Sequence, residues 1–257
     1  MTDATAPRPR KTGRWIAILI VVLVLVGGAV VAAEFIARSV VASTVRSLVV
    51  KNVGLPEDQN VDVSVAGIVL PQLLGGRLDD VTITSNDVTL GPITGDVRVE
   101  MQGVPTSGGT AADGGTASVR LDQDQLRTLL SQIPGFPSGT VQMAAPDLTL
   151  TNELSVFGVG IPVGVSVTPG ASNGDLTLTP AGFELGGNRI DADTLRAQFG
   201  GVADSILGTQ SLCIADRLPA ALTLTSATVQ GQDLVAGFTI DGGVLNDPAL
   251  QRDGSCG

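Results

Sequence analysis

Residues Trp15 to Ala33, WIAILIVVLVLVGGAVVAA, run without a charged side chain, and this stretch constrains the rest of the chain more than any other. A helix needs roughly 20 apolar residues to cross the hydrocarbon core of a bilayer, so the run has the length of a transmembrane anchor. Arg8, Arg10, Lys11 and Arg14 precede it. Basic residues hold their side of a span in the cytoplasm. The expected layout is therefore a cytoplasmic tail over residues 1–14, an anchor in the plasma membrane over 15–33, and an extracytoplasmic domain over 34–257. Met1 to Gly13, with its Thr, Pro and Arg, reads as a short disordered stub. The competing expectation is secretion after signal-peptide cleavage at Val31-Ala32-Ala33. The run exceeds the roughly 7 to 15 apolar residues of a signal-peptide core. Either way the domain is exported.

Charge narrows the partners. The chain has 15 basic and 25 acidic residues, of which four basic and one acidic precede the anchor, leaving 11 and 24 beyond it, a net charge of −13. Such a surface repels phosphate backbones, and the aromatic stacking platforms of single-strand binders are missing, so no nucleic acid is expected. The exported part has no Tyr and no Trp, which also argues against a carbohydrate module. Its two cysteines, Cys213 and Cys256, are expected to pair in an oxidising compartment and tie down the C-terminus.

The order of elements follows from periodicity. Ala37, Val41, Val45 and Leu48 recur at helical spacing, and Gly54 and Pro56 stop the helix. From Val61 the period becomes two, through Val61/Val63/Val65, Val81/Ile83 and Val97/Val99/Met101. The apolar parity changes at Ser85-Asn86-Asp87, which predicts a bulge that bends the strand. Ser107 to Ala117 reads as a loop. Asp122 and Gln125 form a capping box ahead of a second helix carrying Leu126, Leu129, Leu130 and Ile133, ended by Pro134-Gly135. Strand patterning resumes from Val141 to Leu185. A third helix is expected from about Asp193, with Leu195, Phe199, Val202 and Ile206 on one face, and strands return over Leu218–Leu245. The fold class is α+β: one domain with a large, curved, mostly antiparallel sheet and two or three amphipathic helices.

Catalytic signals are scarce. The chain has no histidine, which removes His-based acid–base catalysis, Ser-His-Asp triads and imidazole metal sites. No metal or cofactor is expected. Gly170-Ala171-Ser172-Asn173-Gly174 matches the G-x-S-x-G pattern, but that motif needs a strand-to-helix turn and a base, whereas here it joins two strands with ordinary turn residues. The acidic pairs Asp79-Asp80, Asp122/Asp124 and Asp191/Asp193 read as strand-entry and helix N-terminal chemistry.

At Val61 to Leu90, VDVSVAGIVLPQLLGGRLDDVTITSNDVTL, the sequence resembles the actinobacterial LmeA-like family. The resemblance rests on the alternating strand, Gly67, the Leu70-Pro71-Gln72-Leu73-Leu74-Gly75-Gly76 segment, and the ending with Cys213, Leu218-Pro219 and Gly254-Ser255-Cys256. It covers most of residues 34–257. The family is regarded as envelope phospholipid-binding proteins with a fold similar to tubular lipid-binding (TULIP) domains, linked to lipoglycan maturation, and acyl-hydrolase activity has been suggested for it. Where many members have Gly-Phe-Pro-Phe, this chain has Gly67-Ile68-Val69-Leu70, which keeps an apolar wall without aromatic rings.

The resemblance implies an acyl-chain groove. Candidate lining residues are Leu70, Leu73 and Leu74 at the motif, Leu126, Leu129, Leu130, Ile133 and Phe136 on and after the second helix, and Phe199, Val202 and Ile206 on the third. Three function classes stay open: a phospholipid or other acyl-lipid binder or carrier in envelope biogenesis, a structural protein docking an envelope-biosynthesis partner, and a phospholipid acyl hydrolase.

Overall fold

The computed structural model describes residues 12–90, 93–131, 140–156, 159–200 and 207–256. Of the stub expected over Met1–Gly13, residues 1–11 lie outside them and Thr12 and Gly13 already belong to the first helix; Ile133, Phe136, Val202 and Ile206 and the Pro134-Gly135 helix stop also lie outside the described residues.

Helix α1, Thr12–Val53, is unbroken over 42 residues, about 63 Å at 1.5 Å per residue. From Ile18 to Val31 every residue is exposed around the whole circumference. Beyond Ala33 the helix acquires a buried stripe, with Ala37 and Val41 one turn apart and Val45 half-buried. Gly54 ends it in a left-handed conformation, φ 72°.

Among the described residues twelve strands follow, with three further α-helices between them. They are β1 Val61–Val65, α2 Val69–Leu74, β2 Arg77–Leu90, β3 Ile93–Pro105, β4 Gly114–Leu121, α3 Gln123–Ser131, β5 Thr140–Ala144 and β6 Asp147–Val156. Next come β7 Val159–Ser172, β8 Asp175–Leu185, β9 Asn188–Asp191, α4 Ala192–Phe199, β10 Gln210–Leu212, β11 Leu222–Gln230 and β12 Asp233–Ile240. The strands form two antiparallel sheets where the sequence suggested one large one. The first has the order β1-β2-β3-β4-β12-β11; the second runs β10-β8-β7-β6-β5, with β9 also on β8.

Register explains why these strands share a core. In the first sheet Val63, Ile83, Val99, Ala117, Phe238 and Leu224 are successive cross-strand partners, and directly paired residues project from the same face. The neighbouring row of Val97, Val119, Ala236 and Ala227 projects the same way. In the second sheet Val141, Leu150, Val165, Phe183 and Ile190 make the equivalent row. The expected bulge is present: the β2–β3 register shifts between Ser85 and Val88, and Asp87 sits at φ 52°.

The two apolar faces meet at α3. Its Leu126 is 4 % exposed and packs with Leu121 and Val229 of the first sheet and with Val141, Met143 and Leu148 of the second. The helix starts there because Asp122 Oδ1 accepts the Asp124 and Gln125 N–H groups, while Gln125 Oε1 accepts the Asp122 N–H at 2.9 Å. A second joint is the bridge between Gly174 and Leu224.

The third expected helix is present from Ala192, and the Val202 and Ile206 part of its pattern lies outside the described residues. α4 closes at Phe199 because Gly200, at φ 55°, leaves helical space. Cys213 and Cys256 are bonded, and the Gly254 N–H donates to the Leu218 carbonyl at 2.9 Å, so the C-terminus is fastened to the segment ahead of β11.

Candidate functional site

The site begins with what the helices leave uncovered. α1 packs over β1 and β2 through Ala37 and Val41, against Val65, Leu78 and Val81. Farther along α1, Val49 and Val50 lie against Leu55, Val61 and Val88, with Val97 of β3 at the edge. α3 and the second sheet cover Leu121 and Val229. Between these two lids the apolar face of β3, β4 and β12 is half-buried at Val99, Ala117 and Ala236, flanked by Val97 at the α1 side and by Val119 and Leu234 against the α3 cluster. On the second sheet Leu150, Ile161, Val163, Val165 and Phe183 are likewise half-buried. These are uncharged apolar strips, one on each sheet, with α3 packed at the joint between the sheets. Their side chains offer dispersion and the hydrophobic effect as the means of contact.

Two depressions occur among the described residues. One, of about 270 Å³, is of mixed character, bordered by Arg98, Glu100, Thr116, Ala117, Ser118, Thr225, Gly237 and Phe238 of the first sheet. Another, of about 240 Å³, lies among Asn86, Asp87, Asp96, Arg120, Asp122, Gln125 and Asp233. Both fall below the roughly 300–1,000 Å³ usual for small-molecule sites. Their charges are already engaged: Arg98 pairs with Glu100 at 2.6 Å and Arg120 with Asp233 at 2.8 Å.

The expected lining residues separate into groups. Leu126, Leu129 and Leu130 come together at the joint between the sheets. Leu70 and Leu73 pack with Val69 in a different cluster, against α1, β1 and β2. Leu74, in the same helix, is 90 % exposed. Phe199 ends α4, whose Ala192 and Leu195 pack with Leu207 and Phe183 in a third cluster. Ile133, Phe136, Val202 and Ile206 fall outside the described residues. Strand residues such as Val99, Val119, Ala236 and Val165 carry no sequence mark of a lining role. Their signal was the same period-two alternation that marks any strand, so nothing distinguished a half-open face from a closed one.

The chemistry-bearing candidates occupy ordinary structural positions. Ser172 ends β7 and pairs with Asp175 across the two-residue turn Asn173-Gly174, with φ 54° and 88°, so the G-x-S-x-G stretch is a hairpin turn. Asp124 and Asp193 stand in the first turns of α3 and α4 and pair with Arg127 and Arg196. Among the described residues no group of three or more Asp, Glu or Cys is arranged to hold a metal ion.

One charged group is set apart. Glu34, the first residue after the apolar run, has its Oε1 2.8 Å from the Val69 nitrogen and its Oε2 2.9 Å from the Leu70 nitrogen, while Arg38 lies 3.0 Å away. The Val69 and Leu70 N–H groups, followed by the Arg38 guanidinium, hold this carboxyl below the ordinary carboxylate range. Sequence gave no sign of the contact, because its partners lie 35 and 36 residues apart.

A family model described as LmeA-like phospholipid-binding matches residues 29–238 of the chain. No significant match was found among curated proteins or among solved structures.

Proposed function

The chain belongs to the LmeA-like phospholipid-binding family, and from that premise we propose that it is a membrane-anchored extracytoplasmic phospholipid carrier acting in envelope biogenesis. The α+β architecture, with its antiparallel sheets and few helices, is consistent with a TULIP-like domain of that family. The observation that carries the reading is the half-buried apolar strip between α1 and α3. Ten acyl methylenes seated there would contribute on the order of 8 kcal/mol, at about 0.8 kcal/mol each, before the cost of ordering the chain.

The unbroken α1 supports a retained anchor over residues 15–33. Cleavage after Ala33 would cut this helix next to Glu34, whose carboxylate holds α2. The basic residues ahead of the run support an extracytoplasmic domain over 34–257. An envelope-biosynthesis enzyme that supplies or receives the lipid is the partner this role requires.

Photo-crosslinking of the full chain with a phospholipid bearing a diazirine in its acyl chain tests the assignment. Adducts on β3, β4 and β12, at Val99, Val119 or Ala236, are expected in addition to those on the anchor. Adducts confined to residues 15–33 would reduce the lipid contact to the bilayer around α1 and leave protein docking as the better account.

A further inference from the structure

We propose that the segment Ala66–Gly76 is a membrane-inserting finger, whose Ile68 and Leu74 enter the outer leaflet beside the anchor. This rests on the anchored reading of residues 15–33. Its position follows from the Glu34 contacts, because a residue directly at the membrane exit accepts both N–H groups that open α2. Arg38, one turn on, donates to the Val65 carbonyl at 2.8 Å and also to the Gly67 carbonyl, so the first half of the segment, through Leu70, is held at the level where α1 leaves the bilayer.

The sequence of the finger, AGIVLPQLLGG, is uncharged throughout. Its apolar side chains divide. Val69, Leu70 and Leu73 face the α1 cluster, while Ile68 is 63 % and Leu74 90 % exposed. On α1 itself Phe35 and Ile36 are exposed at the same level, 71 % and 64 %. Four large apolar side chains on α1 and the finger are thus exposed, Phe35 and Ile36 next to Glu34 and Ile68 next to the Val69 that Glu34 holds, with no aqueous reason to be there. The one acidic group among them, Glu34, spends its oxygens on Val69, Leu70 and Arg38 and so presents no bare charge to lipid headgroups.

The finger is also rigid. Gln72 Nε2 donates to the Ala66 carbonyl at 2.8 Å and its Oε1 accepts the Asp79 N–H at 3.0 Å, which fixes α2 against the start of β2. A rigid wedge tied to the anchor would restrict the domain's tilt and hold the apolar strip at a constant height over the leaflet.

Because the native cysteines are bonded to each other, a single introduced thiol can be labelled. The full chain carrying Leu74→Cys, labelled with an environment-sensitive fluorophore, is reconstituted into phosphatidylcholine–phosphatidylglycerol vesicles. Asp124→Cys on α3, where the side chain is 84 % exposed, serves as the aqueous reference. The position-74 label is expected to emit further to the blue and to be quenched several-fold more by spin-labelled lipid than the reference. Equal access of aqueous iodide to both labels, in protein that floats with the vesicles, would overturn the finger alone. Failure to float would overturn finger and anchor together, while acyl-chain crosslinks on β3, β4 and β12 would still stand for the carrier reading.

Discussion

Leu126 and Leu74 are both leucines on short apolar-rich helices, and truncating each to alanine should have opposite consequences. Leu126 is 4 % exposed and touches both sheets, so Leu126→Ala removes the equivalent of about three methylenes, roughly 2.4 kcal/mol of transfer free energy at 0.8 kcal/mol each. A residual cavity adds to this, because the cluster is held by two sheets and collapses only partly, giving a total of about 3 to 4 kcal/mol. Leu74 is 90 % exposed, and Leu74→Ala should stay within about 0.5 kcal/mol of the parent. Urea unfolding of the full chain in mild detergent, followed by far-UV circular dichroism, measures both. The sole tryptophan, Trp15, lies in the apolar run and would not report on the sheets. A Leu126→Ala protein within 1 kcal/mol of the parent would refute the claim that α3 joins the two sheets. The same reasoning predicts weaker lipid retention in Leu126→Ala, since the sheets that carry the apolar strips depend on that joint.

Three further outcomes follow from particular contacts. Replacing Cys213 and Cys256 with serine opens a loop with a sequence separation of 43 and should lower stability by up to about 4 kcal/mol in the chain-entropy model, read as a lower urea midpoint. Glu34 has a folded pKa below its ordinary 4.5, so its contribution is fully present above that value and is lost as pH falls through the lowered one. Acid titration should release α2 over that range, with faster amide exchange at Val69 and Leu70. Glu34→Gln should lose the protection already at neutral pH. Ser172→Ala should leave stability and lipid binding unchanged, because its position is a hairpin turn; loss of a lipid-cleaving activity in that variant would contradict the assignment.

Several local features were legible in sequence, although the loop read over Ser107–Ala117 runs into β4, which already starts at Gly114. The bulge at Ser85-Asn86-Asp87 showed as a change of apolar parity because an extra residue flips every later side chain to the other face. The α3 capping box was visible because Asp122 and Gln125 are three residues apart. The division into two sheets was not visible. β4 pairs with β12 more than 100 residues later, Leu121 opposite Leu234, and no local pattern encodes that choice. The direction of Leu74 was hidden for a related reason. α2 is apolar on nearly every side, so spacing alone could not say that Leu70 and Leu73 pack while Leu74 faces out. The α1–α2 tether through Glu34 was equally silent, since an acidic residue after an apolar run reads as the end of a span.

The central claim is that the apolar strip over β3, β4 and β12 holds an acyl chain. Native mass spectrometry of the full chain released from detergent micelles, with phospholipid titrated in, measures that directly. The account predicts a discrete one-lipid adduct that survives activation in the parent chain and is lost in Val99→Asp and Ala236→Asp variants that keep the parental circular dichroism. Identical lipid retention in parent and variants, or no adduct in any of them, would contradict it.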